Sequence, residues 1–148
     1  MNWFLGIAIL IGALATAEDL WRRQISNPIT VGAFALGLGT HTMLFGLRGA
    51  GNSLAGTAIG FFVFLVFFLL GGMGAGDVKL MAGFGAVLGA GQTVQAAFLT
   101  AILGGLFAMT YLLVRKLRKQ PKISAPEPEA IPYAPAITAG VLLSFAAR

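Results

Sequence analysis

The feature that most constrains this chain is a series of apolar runs separated by short polar or glycine-rich breaks. The runs cover residues 3–17, 29–47, 54–71, 78–90, 94–114 and 131–147. Several are shorter than the ~20 residues that an α-helix needs to cross a bilayer upright. Because backbone polar groups cannot stay unpaired in lipid, such runs fold as helices. The pattern therefore predicts an all-α, polytopic membrane protein, built as a bundle of about six transmembrane helices.

The composition supports a membrane environment. Hydrophobic residues make up 57% of the chain and charged residues only 10%, whereas soluble domains carry about 25% charged residues. Glycines are tolerated in membrane helices and let their backbones approach closely. Pairs with this small-xxx-small spacing are Gly56/Gly60, Gly72/Gly76 and Gly85/Gly89. The short run from residue 78 is expected to be a helix sheltered by its neighbours.

Residue counts exclude several kinds of site. The chain has no cysteine and one histidine, His41, which rules out disulfides, thiolate chemistry and a thiolate or histidine zinc site. We expect no metal and no cofactor, and only a buried or interfacial polar contact for His41. Five of the ten basic residues lie between Arg115 and Lys122, beside an apolar run. Such a cluster favours contact with membrane lipid over nucleic acid.

Residues 1–148 are expected to form a single membrane-embedded domain. Residues 116–130 differ from the rest because they combine basic side chains with three prolines and two glutamates, and contain few large apolar side chains. This composition is typical of an exposed linker.

Basic residues also predict the topology, because cytoplasmic loops carry an excess of Lys and Arg. If six spans alternate, Arg48 and Arg148 lie on one side of the membrane. The other side holds Arg22, Arg23, Lys79, Arg115, Lys116, Arg118, Lys119 and Lys122. That side is expected to be cytoplasmic, with both termini outside. The only two aspartates, Asp19 and Asp77, then lie near the cytoplasmic boundary.

Asp77 is the first candidate for chemistry, because an ionisable side chain at membrane depth costs about 2.5–3.5 kcal/mol on insertion scales. It follows a glycine-rich stretch that includes Gly74 and Gly76. Such a flexible backbone would let a substrate strand approach the carboxylate. The competing interpretation is that Asp77 only caps a helix that starts at Val78.

Asp19 lies just after the first apolar run, and Arg22 and Arg23 follow it at the i+3 and i+4 positions. Taken alone, an interfacial ion pair is its simplest role. Glu18 points about 100° away from Asp19 on a helix and is expected to meet lipid headgroups or Arg22. Together with Asp77, however, Asp19 supplies a second carboxylate at the same membrane face.

An aspartyl peptidase needs at least two carboxyl groups at its site, and two separate helices could supply them here. If they lie close together they share a proton, so that one can activate water while the other protonates a peptide carbonyl. The alternative is a small transporter or channel, in which the two aspartates form a proton or cation path. A non-catalytic scaffold of a secretion complex is a third interpretation.

Three further residues are candidates for shaping the site. Lys79 follows Asp77 by two positions, and either biases the carboxylates, holds an acidic substrate group, or anchors the helix end at the membrane surface. Pro132 and Tyr133 open the last apolar run. Their simplest role is to start a helix and place an aromatic ring at the interface, and shaping of the site is the alternative.

Three motifs resemble those of the type IV prepilin peptidases, and they occur along the chain in the same order as in that family. Residues 74–80, GAGDVKL, are similar to the family's GxGD motif. Residues 19–27, DLWRRQISN, resemble its first aspartate motif, which usually continues through basic residues to Ile-Pro-Asn. Residues 131–136, IPYAPA, resemble its final Ile-Pro-aromatic-x-Pro element. The resemblance covers nearly the whole chain.

The resemblance implies a six-span peptidase of the bacterial inner membrane, with Asp19 and Asp77 as catalytic residues and Asn27 as part of the site. It implies cleavage of the leader peptide from prepilin or pseudopilin precursors at the cytoplasmic face. Such substrates carry a basic leader, a glycine before the cut and an apolar helix after it. The size matches the small CpaA-like members that serve tight-adherence, or Flp-type, pili.

The chain departs from the family pattern in two ways. Ser26 stands where proline is usual, and Pro28 follows Asn27, so the entry into the second span is expected to differ in shape. The cysteine-bearing domain of larger bifunctional members is missing from the sequence. We therefore expect peptidase activity without N-methyltransferase activity.

Overall fold

The computed structural model describes residues 3–117 and 132–147, and every regular element in these ranges is an α-helix. The helices are α1 (Trp3–Arg22), α2 (Asn27–Leu69), α3 (Ala75–Leu88), α4 (Ala90–Leu117) and α5 (Ala134–Ala146). Three of them are long and apolar enough to cross a membrane, namely α1, α2 and the Ala90–Thr110 part of α4. The predicted all-α membrane protein is confirmed, and the count of six crossings stays a prediction.

α2 folds back on itself at Gly46, where φ is 60° and ψ is −145°. Glycine adopts such a positive φ without the steric cost that a side chain would bring. A Cβ placed on Gly49 would strike the carbonyl group of His41, although two turns of a straight helix would hold these residues far apart. α2 therefore consists of a first arm, residues 27–45, and an antiparallel second arm, residues 47–69.

The two arms correspond to the predicted runs 29–47 and 54–71, but the predicted break between them is largely helical. Within this break Gly49 and Ser53 are buried in the interior, whereas Arg48, Gly51 and Asn52 are exposed. Ser53 is fully buried and its hydroxyl donates a hydrogen bond of 2.8 Å to the carbonyl of Ala86. A polar side chain in an apolar run can therefore mark a helix contact rather than a break.

α3 is the central helix, and most of its residues are buried between the arms of α2 and the other helices. Its 14 residues span roughly 21 Å at 1.5 Å per residue, less than the ~30 Å thickness of the hydrocarbon core. This agrees with the expected short, sheltered helix. Asp77 lies in its first turn and is outside the three candidate spans.

Glycines allow both arms of α2 to reach the backbone of α3. A Cβ on Gly37 of the first arm would lie 2.5 Å from the backbone of Val87, and a Cβ on Gly60 of the second arm would lie 2.5 Å from the carbonyl of Met81. Gly56 and Gly85 face each other so closely that a Cβ on either would strike the other's carbonyl. The expected close contact at the Gly56/Gly60 pair is confirmed.

Two predicted boundaries are corrected by the structure. α1 continues past residue 17 as far as Arg22, so Asp19 lies within the helix. α5 begins at Ala134 rather than at 131, with a proline in its first turn. Residues 116 and 117 of the predicted linker belong to α4, while residues 118–130, and Ile131 of the final motif, lie outside the described residues.

The helix ends gather at two opposite ends of the bundle. At the far end, the ring centroids of Phe4 and His41 are 4.5 Å apart, and the Nε2 atom of His41 lies 3.1 Å from the carbonyl oxygen of Val87. At the other end, called the site end, α1 finishes and α2, α3 and α5 begin. The site end carries Asp19 and Asp77 together with Arg22, Arg23 and Lys79.

We expect Gly56→Ala to destabilise the protein, because its added methyl group strikes the backbone of α3, which cannot rotate away. Overpacking of this kind costs about 1–3 kcal/mol. Gly51→Ala is the matched control, since Gly51 lies in the same arm with nothing within 4 Å of its added Cβ. Thermal unfolding of the purified proteins in detergent, followed by circular dichroism, measures both. Equal midpoints for the two variants would contradict this packing.

Candidate active site

Asp19 and Asp77 line the same cavity at the site end of the bundle. Asp19 comes from the last turn of α1 and Asp77 from the first turn of α3. The cavity has a volume of about 290 Å³. Its other lining residues are Arg23, Gln24, Ile25, Gly74, Ala75, Gly76 and Lys79. The structure thus brings together the two predicted carboxylates and three of the six residues predicted to shape the site.

Asp77 is buried, with 6% of its surface exposed. Its Oδ2 atom accepts a hydrogen bond of 3.0 Å from the backbone N–H of Gly74, the residue that precedes α3. The helix was predicted to begin at Val78, with Asp77 as its cap, but it begins at Ala75. The reason is local, because Asp77 reaches back and binds an N–H group that has no partner within the helix.

Burial raises the pKa of Asp77 to about 6. The hydrogen bond from Gly74 opposes this shift because it stabilises the ionised form, and the negative charge of Asp19 raises the pKa further. Asp77 therefore lies within electrostatic reach of Asp19. A carboxyl with such a pKa can exchange its proton near neutral pH.

Asp19 is also 6% exposed, and it points towards α5. Its Oδ2 atom accepts a hydrogen bond of 3.0 Å from the backbone N–H of Ala134, the first residue of α5. The sequence suggested Arg22 and Arg23 as partners, whereas this hydrogen bond joins Asp19 to a residue more than a hundred positions away in the chain. The start of α5 therefore fixes the orientation of the Asp19 carboxylate.

Both carboxylates consequently rest on the N-terminal end of a helix. Asp77 binds the N-terminal end of its own helix, α3, and Asp19 of α1 binds the N-terminal end of α5. A helix N-terminus carries a partial positive charge and unpaired N–H groups, so it stabilises a nearby anion. With one oxygen held by the backbone, the position of the second oxygen of each carboxyl is set as well. Each of the two buried acids is thus oriented by a backbone N–H group at the start of a helix.

Lys79 lies at the rim of the cavity and is exposed. Its Nζ atom donates a hydrogen bond of 3.1 Å to Oδ1 of Asn27. Asn27 is the first residue of α2, so this contact joins the start of α2 to the first turn of α3. Lys79 and Asn27, which were predicted separately to shape the site, thus contact each other.

Tyr133 directly precedes α5 and is half-buried. Its ring packs against Gly104 of α4, where an added Cβ would lie 3.6 Å from ring carbons. Burial raises the pKa of the Tyr133 hydroxyl, and the charge of Asp77 adds to this shift. Tyr133 therefore starts the helix, as the simpler interpretation held, and also lies within the electrostatic reach of Asp77. Pro132 is half-buried beside it.

Some residues of the site escaped the sequence analysis. Gln24, Ile25 and the N–H group of Ala134 were not predicted. Ala134 lies within the third motif, residues 131–136, but a backbone donor carries no residue-type signal, so the role of its N–H group could not be predicted. Gln24 and Ile25 follow Asp19 closely, and their place in the first aspartate motif was the available signal. Within residues 3–117 and 132–147, no group of three or more His, Asp or Glu side chains could hold a metal ion.

Comparison with known proteins gives a match to one protein family. Residues 5–109 match the profile of the type IV leader peptidase family. The chain belongs to this family. The matched region contains Asp19, Asp77 and Lys79, whereas Pro132 and Tyr133 lie beyond it.

The prepilin leader peptidase/N-methyltransferase of Bacillus subtilis (strain 168) is 35% identical to this chain over 94 residues. The aligned segment covers 62% of this chain and 35% of that protein. The chain thus spans about a third of the length of this leader peptidase relative. No solved structure matches the chain.

We expect the Asp77 carboxyl to lose its proton with a midpoint near pH 6, so that it is protonated below this pH and ionised above it. Infrared difference spectra of reconstituted wild-type protein against Asp77→Asn isolate this carboxyl. Asp19→Asn removes a negative neighbour and is expected to lower the midpoint. A midpoint near the ordinary aspartate value of about 4 would contradict the assigned environment.

Proposed function

We propose that the protein is a membrane aspartyl endopeptidase that removes the leader peptide from type IV prepilins or pseudopilins. The observation that carries the proposal is the pair of buried carboxylates, delivered by α1 and α3 to one cavity. Membership of the type IV leader peptidase family supports the same conclusion. So does the similarity to the prepilin leader peptidase/N-methyltransferase of Bacillus subtilis.

The proposed reaction is hydrolysis by a shared proton. In the proposed starting state the proton is on Asp77, whose pKa burial raises to about 6, and Asp19 is ionised. Asp19 accepts a proton from a water molecule as its oxygen attacks the scissile carbonyl carbon, and Asp77 donates its proton to the carbonyl oxygen. When the tetrahedral intermediate collapses, the C–N bond breaks and the leaving nitrogen takes a proton from Asp19. Asp77 regains its proton from the hydroxyl of the intermediate, so the pair returns to its starting state.

The glycine-rich approach to α3 suits a peptide substrate. Gly74 and Gly76 border the cavity beside Asp77 without side chains, so an extended segment can come close to the carboxylate. The proposed substrates carry a basic leader, a glycine before the cut and an apolar helix after it. Flp-type prepilins of tight-adherence systems are the proposed class. We further propose that the chain lacks N-methyltransferase activity.

Asp19→Asn and Asp77→Asn are each expected to reduce precursor cleavage by at least about 100-fold, since each removes one proton-transfer partner with little change in volume. The assay coexpresses each variant with Flp-type precursors and reads the precursor N-termini by mass spectrometry. Arg48→Gln is the matched control, because it changes an exposed charged residue remote from the site. It should leave cleavage unchanged.

Three results, two from this assay and one from a flux measurement, would count against the proposal. Wild-type cleavage rates in either aspartate variant would exclude the two-carboxyl mechanism. Proton or cation flux in proteoliposomes, without cleavage of any precursor, would favour the transporter alternative. An added methyl group on the new N-terminus would contradict the proposed absence of N-methyltransferase activity.

We also propose that the site end faces the cytoplasm and that both chain termini face outward. The chain has no cysteine, so a single introduced thiol reports its side of the membrane. We expect a membrane-impermeant maleimide to label Arg48→Cys in intact spheroplasts, and Gln24→Cys only after permeabilisation. The reverse pattern would show the opposite orientation, and labelling of both in detergent is the control.

A further inference from the structure

The loop that joins α1 to α2, residues 23–26, forms one wall of the cavity. Arg23, Gln24 and Ile25 all line it. Ile25 packs against α3, since a Cβ added to Gly76 would lie 3.3 Å from the Cβ of Ile25. The position of this loop therefore sets the distance across the cavity between the wall and the GxGD segment.

A carboxylate of α1 holds the end of this loop. The backbone N–H of Ser26 donates a hydrogen bond of 2.8 Å to Oε2 of Glu18. Glu18 was expected to meet lipid headgroups or Arg22. The structure ties it to Ser26, and the charge of Arg22 also lies within electrostatic reach of its carboxyl. Glu18 is the residue next to Asp19, so one helical turn both supplies a carboxylate of the site and fixes the adjacent wall.

Ser26 has a backbone geometry that would suit proline. It precedes the first residue of α2, with φ −71° and ψ 145°, and proline fixes φ near −65°. Proline, however, has no N–H group to donate. A proline at this position could therefore not donate the hydrogen bond to Glu18. It would fix a similar φ through its ring instead.

We propose that Glu18 is a positioning residue, which holds the 23–26 loop through the N–H of Ser26 and so sets the wall of the substrate cavity. This inference rests on the proposed peptidase function. The other end of the entry into α2 is fixed independently, because Lys79 binds Asn27. Glu18 and Lys79 thus tie two consecutive residues, Ser26 and Asn27, to two different helices.

The requirement is for an acceptor atom, not for a negative charge. Glu18→Gln keeps a side-chain oxygen at nearly the same position, whereas Glu18→Ala removes it. We expect Glu18→Ala to lower kcat/KM about three- to tenfold, chiefly by raising KM, as for loss of a partly exposed hydrogen bond to a charged group. Glu18→Gln should retain most of the activity.

Ser26→Pro supplies the decisive comparison. In that background no N–H is present at residue 26, so Glu18→Ala should change kcat/KM less than twofold, within the ordinary error of non-coupled pairs. Rates are normalised to the amount of folded, membrane-inserted protein. An equal loss from Glu18→Ala in both backgrounds would overturn the proposal. So would equal losses from Glu18→Gln and Glu18→Ala, which would point to attraction of the basic leader by the charge.

A second measurement does not depend on catalysis or on the Ser26→Pro variant. A spin label on Gln24→Cys, in a chain that has no other cysteine, reports the motion of the loop. Glu18→Ala should increase the mobility of this label and Glu18→Gln should not. Unchanged mobility in Glu18→Ala would overturn the proposal even in a fully active enzyme. If Glu18→Ala increased the mobility but the wild-type protein cleaved no precursor, the role of Glu18 in holding the loop would stand and the proposed peptidase function would be wrong.

Discussion

The structure depends on the binding of two buried carboxylates by the first N–H groups of two helices. An ionised carboxyl in an apolar bundle is costly unless donors surround it, and here α3 and α5 supply those donors from their own backbones. The arrangement requires that both helices begin at the end where α1 finishes. The topology meets this requirement because α2 folds back at Gly46 and returns the chain to the site end before α3 starts.

Close packing of α2 on α3 then fixes the position of Asp77. Where Gly56 and Gly85 meet, the backbones are in contact, so neither helix can slide without a collision. Asp77 lies on the same helix as Gly85, and its carboxyl is tied to the residue that begins that helix. Asp19, in contrast, depends on α5. The two carboxyls are therefore held by hydrogen bonds from different parts of the bundle, Asp77 by the start of α3 and Asp19 by the start of α5.

The sequence was informative wherever a side chain carried the signal. The apolar runs identified the helices, and the charge of Asp19 and Asp77 in an apolar chain identified the carboxylates that share the cavity. The spacing of Gly56 and Gly60 predicted a close helix contact, which the structure confirms. Backbone groups gave no such signal. The donors of Gly74 and Ala134 are N–H groups that every non-proline residue possesses, so only the fold reveals them. The turn at Gly46 could not be predicted either, because glycines are frequent throughout the chain and nothing in the sequence distinguishes this one.

The loop after α1 shows how one chain can hold a fixed wall without the proline that is usual there. A proline ring restricts φ covalently, and the restriction needs no partner elsewhere. Ser26 holds a φ of −71° with its N–H bound to a side chain of α1, so the loop is coupled to the helix that carries Asp19. Any rotation of the last turn of α1 would then move the carboxylate and the wall together. The substitution of serine for proline thus replaces local rigidity with coupling between the cavity wall and one of its two acids.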